Sequence, residues 1–135
     1  TDYGTFLKDK YRNKGIIFLG GVFDKKDLDN IRYYSKLYLH GHTVGGTNPS
    51  LLEAMAAKTL ILSHDNVFNK SVLKDDAFYF SNEQELCNLF NQDLQSKREN
   101  FVSNNLNKIE KFYRWPILIN KYISYFKKAL REAKK

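Results

Sequence analysis

The residues best suited to chemistry in this chain form a glycine-rich turn that leads into a helix. Asn48 is a favoured N-cap residue, and Pro49 suits the first helical position, where its missing N–H costs nothing. The unpaired N–H groups of a first helical turn and the positive end of the helix dipole attract anions, and glycines let a ligand approach the backbone closely. The sequence therefore predicts a phosphate-binding site, whose residues are Gly45, Gly46, Thr47, Asn48, Pro49, Ser50 and Leu51.

Two side chains extend this predicted anion site. Glu53 follows the cap by about one helical turn, within reach of whatever group a phosphate carries, although an ordinary helix surface residue has the same spacing. His42 lies in the turn, and His40 at the end of the preceding strand is expected to be structural. This His-X-His pair has no Asp, Glu or Cys at ligand spacing, so we expect no metal ion and no cofactor. No residue is assigned a catalytic role. Weaker candidates for the same cleft are His64, Asp65 and Lys70.

The composition indicates one globular domain over residues 1–135, with 42% hydrophobic residues and a net charge of +7. The single cysteine, Cys87, excludes an internal disulfide and is predicted to be buried. The first residues do not resemble a signal peptide, and no apolar run approaches the roughly 20 residues needed to cross a bilayer. The basic last quarter indicates either a solvated helix face or attraction to an anionic membrane. Nucleic acid is not an expected partner, because no binding motif accompanies the charge.

Strand and helix patterns alternate along the first two-thirds of the chain. Short apolar runs predict four strands, at residues 15–21, 37–40, 59–63 and 77–80. The first helix is predicted at about residues 25–35, with Asp24 as its cap and with Leu28, Ile31 and Tyr34 on its apolar face. A second helix is predicted to start at Pro49, and a third to run from a Ser81–Gln84 capping box to about residue 93. Residues 64–74 are predicted as loop with a helical turn. The predicted fold class is α/β, a Rossmann-like parallel sheet of about four strands with flanking helices and C-terminal helices, whose ligand site lies beyond the carboxyl ends of the strands.

The last 40 residues are predicted to be helical. One helix covers about residues 96–113, and Trp115-Pro116 breaks it because proline disfavours helical geometry in the residue before it. The final helix carries an apolar stripe formed by Leu118, Ile119, Tyr122, Ile123, Phe126 and Leu130. The stripe is expected to pack on a core; the alternative is docking on a second domain or on a membrane surface.

The segment around the predicted anion site resembles the donor-binding half of family 4 of the retaining GT-B glycosyltransferases. Residues 51–56 read Leu-Leu-Glu-Ala-Met-Ala, which is similar to the second half of that family's signature. The resemblance implies that Glu53 holds the ribose hydroxyls of a nucleoside-diphosphate sugar and that residues 47–50 hold its diphosphate. Residues 40–53 further resemble a subgroup close to bacterial rhamnosyltransferases of surface-polysaccharide synthesis. Gly45 stands where the family has its first glutamate, so the resemblance leaves the sugar contact of that position unassigned, with Asn48 and His42 as the candidate substitutes.

The resemblance to this family covers roughly residues 15–130 and is weaker outside residues 40–57. Two of the weaker similarities are in the loop 65–69 and at residues 113–115. No Gly-Arg-X-X-X-X-Lys region precedes Gly15, so the chain is expected to be part of a GT-B C-terminal domain, lacking an N-terminal acceptor domain and inactive alone. The resemblance implies an intact cytoplasmic enzyme at the inner face of the plasma membrane, transferring a sugar with retention to a growing surface glycan or lipid-linked acceptor without a metal. The alternative is a non-catalytic nucleotide-binding or scaffolding module that docks on a partner or membrane.

Overall fold

The fold is organised around a short parallel sheet in a computed structural model that describes residues 1–133. The strands are β1 (Tyr38–His40), β2 (Ile61–His64) and β3 (Phe78–Phe80), in the order β1-β2-β3, with Leu39 opposite Leu62 and Leu62 opposite Phe78. The helices are α1 (Asp2–Lys10), α2 (Lys25–Tyr34), α3 (Pro49–Ala56), α4 (Val67–Leu73), α5 (Glu83–Phe90), α6 (Arg98–Lys108) and α7 (Trp115–Glu132). A 3₁₀ turn (Leu94–Lys97) precedes α6, and a π-helical turn (Ile109–Tyr113) follows it. The predicted α/β class with a parallel sheet is confirmed.

Side chains cover both faces of the sheet at its central strand β2, whereas Leu39 of the edge strand β1 is exposed. Alternate residues of each strand point to opposite faces, so Ile61 and Leu62 belong to different cores. One core holds the buried residues Leu51, Ala54, Met55, Ile61, Val72, Leu73 and Ala77, contributed mainly by α3, α4 and β2. The other holds Leu60, Leu62, Phe80 and Leu94, with residues of α5 and α6 packed against it. This packing holds the strands in place, so the residues at their carboxyl ends, where the loops begin, have defined positions.

Side-chain caps explain where four of the helices begin. In each, an Asp or Asn side-chain oxygen accepts a hydrogen bond from a backbone N–H of the first turn, as N-cap residues do. The acceptor–donor pairs are Asp24–Asp27, Asn48–Ser50, Asn66–Asn69 and Asn82–Glu85. The caps at Asp24 and Asn48 were predicted. The predicted Ser81–Gln84 box is wrong by one residue, since Asn82 is the cap, and the helix ends at Phe90, not near residue 93.

The strand predicted at residues 15–21 does not form, so the sheet has three strands, not four. This segment has no regular secondary structure and no strand partner within the described chain. Gly15 and Gly20 have φ angles of 73° and 74°, outside the β region at both ends of the run. No helix covers its side chains, and Ile17 is 82% exposed. The apolar composition alone was therefore misleading.

Three further predictions are corrected. Residues 64–74 contain α4 rather than a loop with a single helical turn. Residues 96–113 form the end of the 3₁₀ turn, α6 and the π turn in succession rather than one helix. A break before the final helix does occur, but it lies at the extended Arg114, and Trp115, predicted to be non-helical, is the first residue of α7. Cys87 is exposed, because it lies on the side of α5 that faces away from the sheet.

The apolar stripe of α7 does not pack on the core. Only Ile117 and Leu118, near the start of the helix, are partly buried, and every described residue from Ile119 onward is exposed. The expectation of core packing is therefore wrong for most of the helix. None of the helices within residues 1–133 has both the length and the hydropathy needed to span a membrane.

Candidate anion site at the carboxyl edge of the sheet

The glycine loop, residues 41–47, leaves the carboxyl end of β1 and reaches the start of α3. Each residue of this loop is exposed. A Cβ atom added to Gly41, Gly45 or Gly46 would meet nothing within 4 Å, so the space next to these residues is open. Gly45 has a φ of 127°, a conformation that other residues rarely adopt, whereas Gly46 has an ordinary φ. The loop thus presents its backbone to solvent, as the sequence predicted.

The first turn of α3 has fewer free donors than predicted. The Ser50 N–H donates to the Asn48 side chain at 3.0 Å, and the N–H groups of Leu51 and Leu52 both donate to the Asn48 carbonyl, at 3.1 and 3.2 Å. The Ser50 hydroxyl also donates to the Asn48 side chain, at 2.8 Å. Within residues 1–133, the N–H groups of residues 45–48 have no intramolecular acceptor. The donors available to an anion are therefore those of the loop, just ahead of the helix.

Two asparagines that sequence reasoning did not assign to the site fix the start of this loop. The buried Asn69 donates through Nδ2 to the carbonyl oxygens of His42 and His64, at 3.1 and 3.0 Å. Asn66 donates to the same His42 carbonyl at 2.9 Å. The chain leaving β1 is thereby tied to the chain leaving β2. The available signal was the Asn66–Asn69 spacing, which marks a helix cap but does not show that the amides reach across to another loop.

All three histidines of the chain lie at this edge of the sheet. His40 is buried, and within the described residues neither of its ring nitrogens has a hydrogen-bond partner. Its ring stacks on that of His42, with 4.7 Å between ring centroids. Burial, and to a lesser extent the charge of His42, lowers the pKa of His40, so His40 is neutral at neutral pH. Its burial agrees with the structural role predicted for it, whereas His42 is exposed and free to meet a ligand.

Glu53 has a partner that the sequence did not reveal. Its Oε2 atom lies 2.8 Å from the Nη2 atom of Arg32 on α2. The Arg32 side chain is only 8% exposed, whereas that of Glu53 is 45% exposed. Arg32 was missed because the predicted apolar face of α2 included Ile31 and Tyr34, and both are exposed instead. The ion pair leaves much of the Glu53 carboxylate open to solvent while holding its orientation.

A cavity of about 580 Å³ begins at Glu53 and extends along α3 towards Ala57. Its other walls come from α2 and from the π turn, and include Lys25, Asp29, Asn30, Tyr33, Ile109 and Tyr113. The glycine loop does not line it. Glu53 thus stands between two separate features, the loop at the start of α3 and the cavity farther along the same helix.

The weaker candidates have local partners. Lys70 is ion-paired with Asp65 at 2.7 Å, and His64 lies edge-on to the ring of Phe80. Within residues 1–133, no group of three or more His, Cys, Asp or Glu side chains is arranged to hold a metal ion.

Comparison with known proteins does not place the chain in a family, since no family model matches it and no curated protein sequence matches it.

Proposed function

We propose that this chain is the donor-binding part of a retaining glycosyltransferase with a Rossmann-like C-terminal domain, which binds a nucleoside-diphosphate sugar. The observation that carries the proposal is the route of the glycine loop. It leaves the carboxyl end of β1, at the edge of a sheet whose central strand is buried on both faces, and ends at the capped start of α3. Ligands of open α/β sheets bind at this edge. The resemblance of residues 40–57 to family 4 enzymes supports the same assignment.

The proposed binding mode follows α3. The diphosphate accepts hydrogen bonds from the N–H groups of residues 45–48, with the positive end of the α3 dipole behind them. The ribose hydroxyls donate to the open part of the Glu53 carboxylate, whose orientation is held by the ion pair with Arg32. The cavity beyond Glu53 receives the base, with Tyr33 and Tyr113 in its walls. Its volume lies within the range of about 300–1,000 Å³ typical of small-molecule sites.

In the intact enzyme, the bond between the sugar and the diphosphate breaks, and an acceptor hydroxyl oxygen forms the new glycosidic bond as it gives up its proton. The loop N–H groups stabilise the charge that develops on the departing diphosphate. The proposed acceptor is a growing surface glycan or a lipid-linked precursor, bound by a domain outside this chain, at the inner face of a bacterial plasma membrane. We expect no metal ion in this scheme, because the loop N–H groups and the α3 dipole are assigned the role of stabilising the diphosphate charge.

A thermal-shift panel of nucleoside diphosphates and their sugars on the intact protein tests this proposal. A ligand that binds only the folded state raises its apparent stability, by about 2.7 kcal/mol at a concentration of 100 Kd. Gly46→Val should abolish the shift, since a Cβ at Gly46 meets no protein atom within 4 Å and the added side chain would fill the space proposed for the phosphate. Thr43→Val, in the same exposed loop, is the matched control and should retain it. No shift with any member of the panel would refute donor binding.

The second candidate function is the scaffolding alternative, a non-catalytic module that binds no nucleotide and docks on a partner or membrane. The exposed apolar side chains of residues 16–19 and of α7 favour it. It predicts no stabilisation by any nucleotide sugar and no effect of Gly46→Val, so the same panel separates the two functions.

A further inference from the structure

Helix α7 is amphipathic along its whole length, and its apolar side faces solvent. At 3.6 residues per turn, the apolar side chains other than Ile117 fall within an arc of about 160° centred near Trp115 and Phe126, while the partly buried Ile117 lies on the opposite side. Both are exposed, at 75% and 59%. The remaining members of this arc are Leu118, Ile119, Tyr122, Ile123, Tyr125, Ala129 and Leu130. A face of this size is costly to leave in water and indicates an occupant.

The charges of α7 identify the chemistry of that occupant. Residues 115–132 contain four basic residues and one acidic residue, Glu132, a net charge of +3. Lys121 and Lys127 flank the two edges of the apolar arc, and Lys128 and Arg131 lie on the opposite side. The one acidic residue, Glu132, lies at the same edge as Lys121 and is 3.9 Å from Lys128. Long basic side chains at such edges bury their methylene stems and keep their ammonium groups at the polar boundary.

We propose that α7 binds the surface of an anionic lipid membrane. The helix would lie in the plane of the interface, with its aromatic and aliphatic face inserted about 5–10 Å and its lysines on the headgroups. A second copy of the chain fits this face less well, because pairing two such helices places their basic edges side by side. This inference is independent of nucleotide-sugar binding.

Vesicle cosedimentation of the full chain tests the proposal. We expect binding to vesicles of phosphatidylcholine mixed with phosphatidylglycerol, weak binding to phosphatidylcholine alone, and release by high salt. Trp115 is the only tryptophan and lies on the inserted face, so its emission should shift to the blue on binding.

Matched variants separate insertion from charge. Phe126→Ser should lower the membrane partition coefficient more than tenfold, because the variant lacks the phenyl ring whose transfer from water into the membrane favours binding. Asn120→Ser, on the polar side, should leave it within about twofold. Lys127→Gln and Lys128→Gln should each lower it about fivefold on the anionic vesicles only. Since these side chains are exposed, folding should be unchanged, which circular dichroism checks.

Three results would overturn the proposal. The first is equal binding to both kinds of vesicle, or binding unaffected by Phe126→Ser. The second is a dimer in solution that Phe126→Ser dissociates, which would assign the face to a second copy. The third is a monomer that binds neither vesicle, which would leave a protein partner as the occupant.

Discussion

Removing the charge of Glu53 should destabilise the protein more than removing that of its partner. Glu53→Gln leaves the guanidinium of Arg32 buried, with Asp29 at 3.9 Å as its remaining carboxylate within the described residues. Breaking a fully buried ion pair from one side costs about 3–5 kcal/mol, and breaking an exposed one costs about 0–1 kcal/mol. Because Glu53 is 45% exposed, we expect an intermediate loss of about 2 kcal/mol. Arg32→Met instead removes the buried charge and lets Glu53 hydrate, so its cost should be below about 1 kcal/mol.

Urea unfolding measures this asymmetry. At an unchanged m value of about 2 kcal/mol per molar, Glu53→Gln should lower the midpoint by about 1 M and Arg32→Met by less than half of that. Glu110→Gln is the control, because Glu110 pairs with Arg114 at 2.8 Å but both side chains are more than half exposed. That variant should cost under about 1 kcal/mol. Equal losses at Glu53 and Arg32, or a larger loss at Arg32, would refute the view that Arg32 is a buried cation held by Glu53.

Three further perturbations have definite expected outcomes. Asp76→Asn should lower the free energy of unfolding in urea by about 2–3 kcal/mol, because it removes the carboxylate that lies 2.6 Å from the mostly buried Lys108 ammonium. Asp75→Asn is the control and should be nearly neutral, because Asp75 is exposed. The pKa of His40 is lowered, chiefly by burial and secondly by the charge of His42, so the unfolded chain binds the proton more readily than the folded protein does. The free energy of unfolding, measured by urea titration at a series of pH values, should therefore fall as the pH drops below about 6.5, the ordinary pKa of histidine, and stay constant above it. His40→Phe should remove this pH dependence. Asn69→Asp should lower stability by about 2–4 kcal/mol in thermal unfolding, since a carboxylate cannot donate to the two carbonyls that Asn69 holds, and an unchanged melting temperature would contradict the clamp.

Local signals predicted the elements that position the site. Asp24 and Asn48 identified the starts of α2 and α3, because capping depends on residues within one turn. The apolar runs around Leu39, Leu62 and Phe80 were sufficient to predict strands, although only the central strand, which contains Leu62, is buried on both faces, and Leu39 at the sheet edge is 47% exposed. The run at residues 15–21 looked the same, but pairing and coverage are properties of the whole chain, and neither is provided to that segment within residues 1–133.

Side-chain contacts between different helices and loops could not be predicted from the sequence. The Arg32–Glu53 pair joins two helices, and the amides of Asn66 and Asn69 join two loops. No spacing rule connects such residues, because their proximity results from the packing of the sheet. The stripe of α7 illustrates the same limit: a pattern shows that a face requires burial but not what buries it.

The central claim is that the glycine loop and Glu53 bind one nucleoside diphosphate. A crystal structure of the protein soaked with the nucleoside diphosphate that gives the largest thermal shift tests it most directly. We predict a phosphate oxygen within about 3 Å of N–H groups of residues 45–48 and ribose hydroxyls at similar distance from the Glu53 carboxylate. A diphosphate bound elsewhere, or a ribose with no contact to Glu53, would contradict the account.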